Sequence, residues 1–220
     1  MRKSLRTFAT LTAAALVAVL GTTAAAGAGT GHAPGSLHDG YGSTPGSHHD
    51  IYGHTKIRGG IPVTAARFGL SSPDVRNGGR IPDVSWGNGF GCTGGNQPIR
   101  LRWKGAPKTA RSFAVSMQDL DATTGSGFWH WMAWDIPANT TTLDRTLPAG
   151  ATSGTNDGGR AGYAGPCPPA GDIAHRYRIT VYALDTPSLG LPAAGTPAVA
   201  AFTLSSHTIG YGRITATARR

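Results

Sequence analysis

Two aspartates, two histidines and a tyrosine fall where alternating apolar stretches end. From Arg111 to Asp121 the odd positions are Arg111, Phe113, Val115, Met117, Asp119 and Asp121. In an extended strand alternate residues share a face, so both carboxylates continue an apolar face to its end. Charges at the mouth of a core need partners; a polar turn capped by its own aspartate is the alternative. The same placement recurs in His175-Arg176-Tyr177-Arg178-Ile179-Thr180-Val181, where the Ile179/Val181 face also carries His175 and Tyr177. In Phe128–Trp134 one face shows Phe128, His130, Met132 and Trp134, the other Trp129, Trp131 and Ala133. His130 reads either as a paired core histidine or as part of the same group. The placement predicts one rim where Asp119, Asp121, His130, His175 and Tyr177 meet. No activated nucleophile stands out, so hydrolysis ranks last among the readings. Two carboxylates this close on one strand face do not divide into the acid and base of a glycosidase.

Gly162-Tyr163-Ala164-Gly165-Pro166-Cys167-Pro168-Pro169-Ala170-Gly171 is a stiff loop whose backbone can approach a ligand closely, or simply a rigid connector. Gly89-Phe90-Gly91-Cys92-Thr93-Gly94 has the G-x-G-x-x-G form, but a strand follows it rather than a helix, so no dinucleotide site is implied. There is no G-x-S-x-G elbow, and all 11 acidic residues are aspartate, which rules out H-E-x-x-H. The Asp/His spacing fits no standard zinc motif. No metal or cofactor is expected.

Period-two patterns predict strands at 63–70, 99–103, 111–118, 128–135, 175–184 and 212–218, with turn-rich segments between them. A short helix fits 197–205. Phe128–Trp134 is apolar on both faces and is expected to be a central, doubly covered strand. Many strands without βαβ spacing predict a mostly-β antiparallel β-sandwich.

The first 26 residues have the layout of a secretory signal peptide: Arg2, Lys3 and Arg6, an apolar run from Phe8 to Leu20, then the small residues Ala24-Ala25-Ala26 and Ala26-Gly27-Ala28. The run is short of the ~20 residues that span a bilayer, so the mature chain is expected to be secreted, with no transmembrane span. Residues 27–60 read as a flexible His/Gly-rich linker. Its 11-residue repeat, Pro34–Thr44 followed by Pro45–Thr55, is identical at eight positions. The domain is expected at 61–220. An even count of two cysteines in an exported chain predicts one disulfide, Cys92 to Cys167, pinning the proline-rich loop. Residues 61–220 carry 15 basic and 9 acidic residues, a net +6, which would suit an acidic partner, anionic lipid or nucleic acid, or ordinary solubility. Arg100 with Arg102, and Arg176 with Arg178, read as solvated strand edges, and aromatic interleaving for nucleic acid is missing.

Asp119-x-Asp121-Ala122, Gly125-Ser126-Gly127-Phe128-Trp129-His130-Trp131 and Gly165-Pro166-x-Pro168-Pro169-x-Gly171 leading to His175-Arg176-Tyr177 together resemble the phosphatidylethanolamine-binding protein family, in its bacterial Raf kinase inhibitor-like branch. Asn96-Gln97-Pro98 and Tyr182-Ala183-Leu184-Asp185 extend the resemblance, which covers roughly residues 65 to 220. It implies a large central sheet, a smaller sheet and one or two short helices. It also implies a small surface pocket for phosphate-like anions or phospholipid headgroups, lined by Asp119, Asp121, His130, Gly165, Pro166, His175 and Tyr177. Leu120 and Thr123 stand where the family has prolines, which puts the position of Asp121 in question. In such a pocket a protonated histidine or backbone N–H would hold the phosphate, and the carboxylates would orient the imidazoles or take an ammonium. The resulting expectation is an exported binding protein and not an enzyme. The alternative is an inhibitor of a protein target, a protease or kinase, acting through an exposed loop.

Overall fold

The computed structural model describes residues 60–220; the signal peptide, the repeat and all but the last linker residue lie outside them. The elements run β1 (Ala66–Arg67), β2 (Gly69–Ser71), a 3-10 turn (Asp83–Ser85), β3 (Leu101–Lys104), β4 (Ser112–Asp119), β5 (Phe128–Pro137), β6 (Thr142–Leu143), β7 (Thr152–Ser153), β8 (His175–Leu184), α1 (Pro197–His207) and β9 (Thr208–Ala218). β5, β8 and β9 coincide with stretches rich in β-branched and aromatic residues, which suit a pleated, half-buried surface, whereas β4 has only Phe113 and Val115 of these types. These four long strands belong to a six-stranded sheet in the order β1-β9-β8-β4-β5-β7; β2, β3 and β6 form a three-stranded sheet. All pairs are antiparallel except β1 with β9. The expected architecture of a large and a smaller sheet with a short helix is what the chain forms.

The large sheet is covered on both faces. Phe113, Val115 and Met117 of β4, Ile179 and Val181 of β8 and Ile214 of β9 pack with Leu101 and Trp103 of the small sheet. On the reverse face Ala114, Met132, Trp134, Tyr182 and Leu184 pack with Ala200 and Leu204 of α1. Every residue of β4 is consequently buried. α1 starts where Thr196 caps it by accepting the Val199 N–H, with Pro197 pre-set for the first turn.

The stretch expected as one strand at 63–70 divides at Phe68 into β1 and β2, which join different sheets. β5 is doubly covered but not central. It lies between β4 and the two-residue β7, while β4 and β8 occupy the middle. The short β6 and β7 carry too few residues to show a periodicity.

Candidate functional site

The polar rim is built where β4, β5 and β8 end together. Asp119 closes β4 and faces Tyr177 of β8 on one side and Phe128 of β5 on the other. His175 opens β8 two residues before Tyr177 and so shares its face. His130 arrives by a different device. Met117 opposes Trp131 and Gln118 opposes Trp129, which leaves His130 as an extra residue in β5. A bulge of this kind re-aims a side chain. It separates His130 from Met132 and Trp134, with which simple alternation had grouped it; those two pack toward α1. The His130 ring instead lies 5.2 Å from Tyr177 and 4.9 Å from Phe128, centroid to centroid. His130 of β5 thus reaches the tyrosine of β8, two residues along from His175.

Each acid and imidazole has a defined partner. His175 Nδ1 lies 2.7 Å from Asp119 Oδ2 and its Nε2 3.2 Å from Asp172 Oδ2. Burial disfavours the imidazolium, but the two carboxylates outweigh it and raise the His175 pKa above its ordinary value. With both nitrogens donating, His175 is the cation of the cluster. Asp172 in turn is held below the usual carboxylate range by the Ile173 N–H and by His175. His130 behaves oppositely. Burial lowers its pKa, against the opposing pull of the Ala164 carbonyl. Its Nδ1 lies 2.8 Å from that carbonyl oxygen, which can only accept. Nδ1 therefore carries the proton, and Nε2 presents a lone pair. Tyr177 is fully buried and, among the described residues, its hydroxyl makes no hydrogen bond within 3.5 Å, although the Asp119 carboxylate lies near it. Burial and the Asp119 charge raise its pKa, so it remains a phenol able to donate.

Asp121 does not continue the strand face. β4 ends at Asp119, and the Asp121 N–H turns back to donate to Asp119 Oδ1 at 2.9 Å, an aspartate-capped turn. Its carboxylate takes a forked contact from Arg176, with Nη2 at 2.6 Å and Nε at 2.9 Å, and also accepts the Arg176 N–H at 2.7 Å. The guanidinium holds the Asp121 carboxyl below its usual range. Arg176 is therefore a counterion rather than a free edge charge. The same holds for Arg100, which forks onto the buried Asp74. Leu120 and Thr123 lie in a turn of trans peptides.

The loop behind His130 is fixed by backbone packing. A side chain at Gly165 would run into the backbone of Trp86 and Gly87. The Gly87 N–H donates to the Pro166 carbonyl at 2.9 Å, and the Gly165 N–H donates to Asn96 Oδ1 at 2.7 Å. Asn96 adopts a left-handed φ of 49° to make that contact, a conformation asparagine tolerates better than most residues. Cys92 and Cys167 form a disulfide, Cα to Cα 5.9 Å, which ties the loop to the 89–92 turn. Sequence reasoning read Asn96 only as part of a motif and passed over Asp172. The single available signal for Asp172 was its place three residues before His175. Among the described residues no cluster of three His, Cys, Asp or Glu is arranged to hold a metal.

A two-sheet sandwich with a polar rim at the ends of β4, β5 and β8, backed by a proline-rich loop, is the plan of a known class of binding proteins. The family model described as phosphatidylethanolamine-binding protein matches residues 71–219, and the chain belongs to that family. It is 40% identical to YbcL of Escherichia coli over 159 residues, 69% of this chain and 87% of that protein. The crystal structure of YbcL superposes with a TM-score of 0.68 at 37% identity, covering 70% of this chain and 99% of the other. The candidate lipoprotein LppC of Mycobacterium tuberculosis is 38% identical over 149 residues, 67% of this chain and 70% of LppC. A homologue from Chlamydia trachomatis superposes with a TM-score of 0.61 at 25% identity, covering 71% of this chain and 99% of that one.

Proposed function

We propose that the chain is an exported binding protein whose rim of Asp119, His130, His175 and Tyr177 receives a phosphate-bearing headgroup without turning it over. The observation that carries this reading is the Tyr177 hydroxyl. A buried donor without a partner is costly, by roughly 1–3 kcal/mol, and an anionic oxygen would satisfy it. Two carboxylates beside a phosphate would ordinarily repel it. Here Asp119 is matched by His175 and Asp121 by Arg176, so that repulsion is already met within the protein. The neutral His130 offers Nε2 to a protonated phosphate oxygen or to an ammonium. Asp172 has the most exposed carboxylate of the three, at 32%, and is the natural contact for the ammonium of a zwitterionic headgroup. Binding rather than catalysis is supported because the acids and His175 are already committed to one another and the phenol is held protonated. Family membership and the candidate lipoprotein relative agree with an exported binding role.

Calorimetric titration of the full chain with phosphoethanolamine and with inorganic phosphate tests the reading. Saturable binding is expected, weakened about tenfold in Tyr177→Phe for the loss of one hydrogen bond to a charged group, and weakened in His130→Ala. Equal affinity in wild type and both variants, with their circular dichroism unchanged, would remove the rim from the function.

A further inference from the structure

The reverse face of the large sheet carries a second group of polar residues that the rim does not use. Beneath α1, the alternate residues of β4, β8 and β9 surround a cavity of about 220 Å³. Ser116, Trp129, Arg178, Tyr182, Phe202 and Arg213 line it. The two arginines are diagonal neighbours, because Arg178 opposes Thr215 and Thr180 opposes Arg213 in the β8–β9 register. Neither forms an ion pair among the described residues, unlike Arg80, Arg100, Arg145 and Arg176. Arg213 spends its Nε on Thr180 Oγ1 at 3.0 Å and stacks over the Tyr211 ring, and its buried Nη2 has no hydrogen-bond partner among the described residues. Arg178 is half-buried, and burial together with the Arg213 charge pushes its pKa below the ordinary value.

Two like charges, partly desolvated and side by side, are unfavourable unless an opposite charge joins them. The geometry points to an anion site here, on the opposite face of the sheet from His130 and His175, that takes a small organic phosphate or carboxylate bearing an apolar group. The paired guanidiniums suit the planar or tetrahedral oxygens of such a head group. Trp129, Tyr182 and Phe202 supply apolar wall for the remainder, and Phe202 is 76% exposed, with area free to be covered. The cavity volume lies below the ~300–1,000 Å³ of pockets for drug-sized ligands, which suits a small ligand.

The test is a titration of the full chain, at low ionic strength, with phenyl phosphate, benzoate and inorganic phosphate, read by nitrogen–proton correlation spectra. Saturable shifts are expected at the Trp129 indole N–H and at the Nε–H groups of Arg178 and Arg213. Arg178→Gln and Arg213→Gln should each weaken phenyl phosphate about tenfold or more, the loss of a charged hydrogen-bond donor, while His130→Ala leaves that binding unchanged. Either order of phenyl phosphate and benzoate supports the site and identifies the preferred head group. The wild-type shifts do not depend on how a variant folds. Shifts absent from these three groups, affinity unchanged in both arginine variants, or inorganic phosphate binding as tightly as phenyl phosphate would each overturn the proposal. So would sensitivity to His130→Ala in place of the arginines, which would assign the binding to the rim.

Discussion

The pKa values of the two rim histidines are pushed in opposite directions, because His175 is flanked by carboxylates and His130 is buried among rings beside a carbonyl. For His175 the folded pKa exceeds the unfolded value of ~6.5. The native state therefore binds its proton more tightly. The stability this contributes is fully present below about pH 6.5 and is lost as pH rises through the folded value. His130 is depressed, so it opposes folding as pH falls below about 6.5 toward its own midpoint. Proton titrations of the two imidazoles should give midpoints on either side of ~6.5, His175 above and His130 below. A His175 midpoint at or below the unfolded value would contradict the double-carboxylate cradle. Urea unfolding of the wild type should show a decline in stability above neutrality that His175→Gln lacks, and the variant should be destabilised by about 3 kcal/mol at acid pH, the cost of breaking a buried pair.

At the scale of elements, the loop 163–172 is held by one covalent and several backbone ties, and both kinds can be cut separately. The disulfide spans 75 positions, for which the chain-entropy relation gives about 4 kcal/mol. Replacing Cys92 and Cys167 by serine should lower unfolding free energy by that order, measured in urea without reductant. Gly165→Ala should destabilise by about 1–3 kcal/mol, the usual range for overpacking, because the new methyl meets backbone that cannot swing aside. A thermal midpoint within a degree or so of wild type would show that the loop yields. The sequence was most legible where periodicity is long: β8 was read to its end residues, and α1 within two. It was least legible where one extra residue changes the phase. Alternation alone assigns His130 to the face of Met132 and Trp134, and nothing in Phe128-Trp129-His130-Trp131 announces the bulge that moves it. Asp121 was misplaced for a related reason: the period continues in the sequence after the strand has stopped at Asp119. Arg176 is exposed as read and Arg100 partly so, but their counterions, 55 and 26 residues away, leave no mark on local spacing; Arg178, also read as a solvated edge, is half-buried in the middle of the sheet.

At the scale of the whole molecule, export and binding make separate claims. If the first 26 residues are a leader, the intact mass of the protein recovered from culture medium should begin at residue 27 or 29. Full-length mass in the medium would reject the cleavage reading and leave the rim chemistry untouched. The described residues contain no helix long and apolar enough to cross a membrane. β8 holds a particular place in this architecture. Its odd members look toward the small sheet and its even members toward the helix, and its eight pairings with β4 run without interruption. A slip of one position would turn imidazole and phenol inward beneath the helix and deliver guanidinium to the polar rim. The extra residues that break register in this sheet are carried by β5 and β9 instead, so the parity of β8 keeps two chemistries of opposite aspect apart.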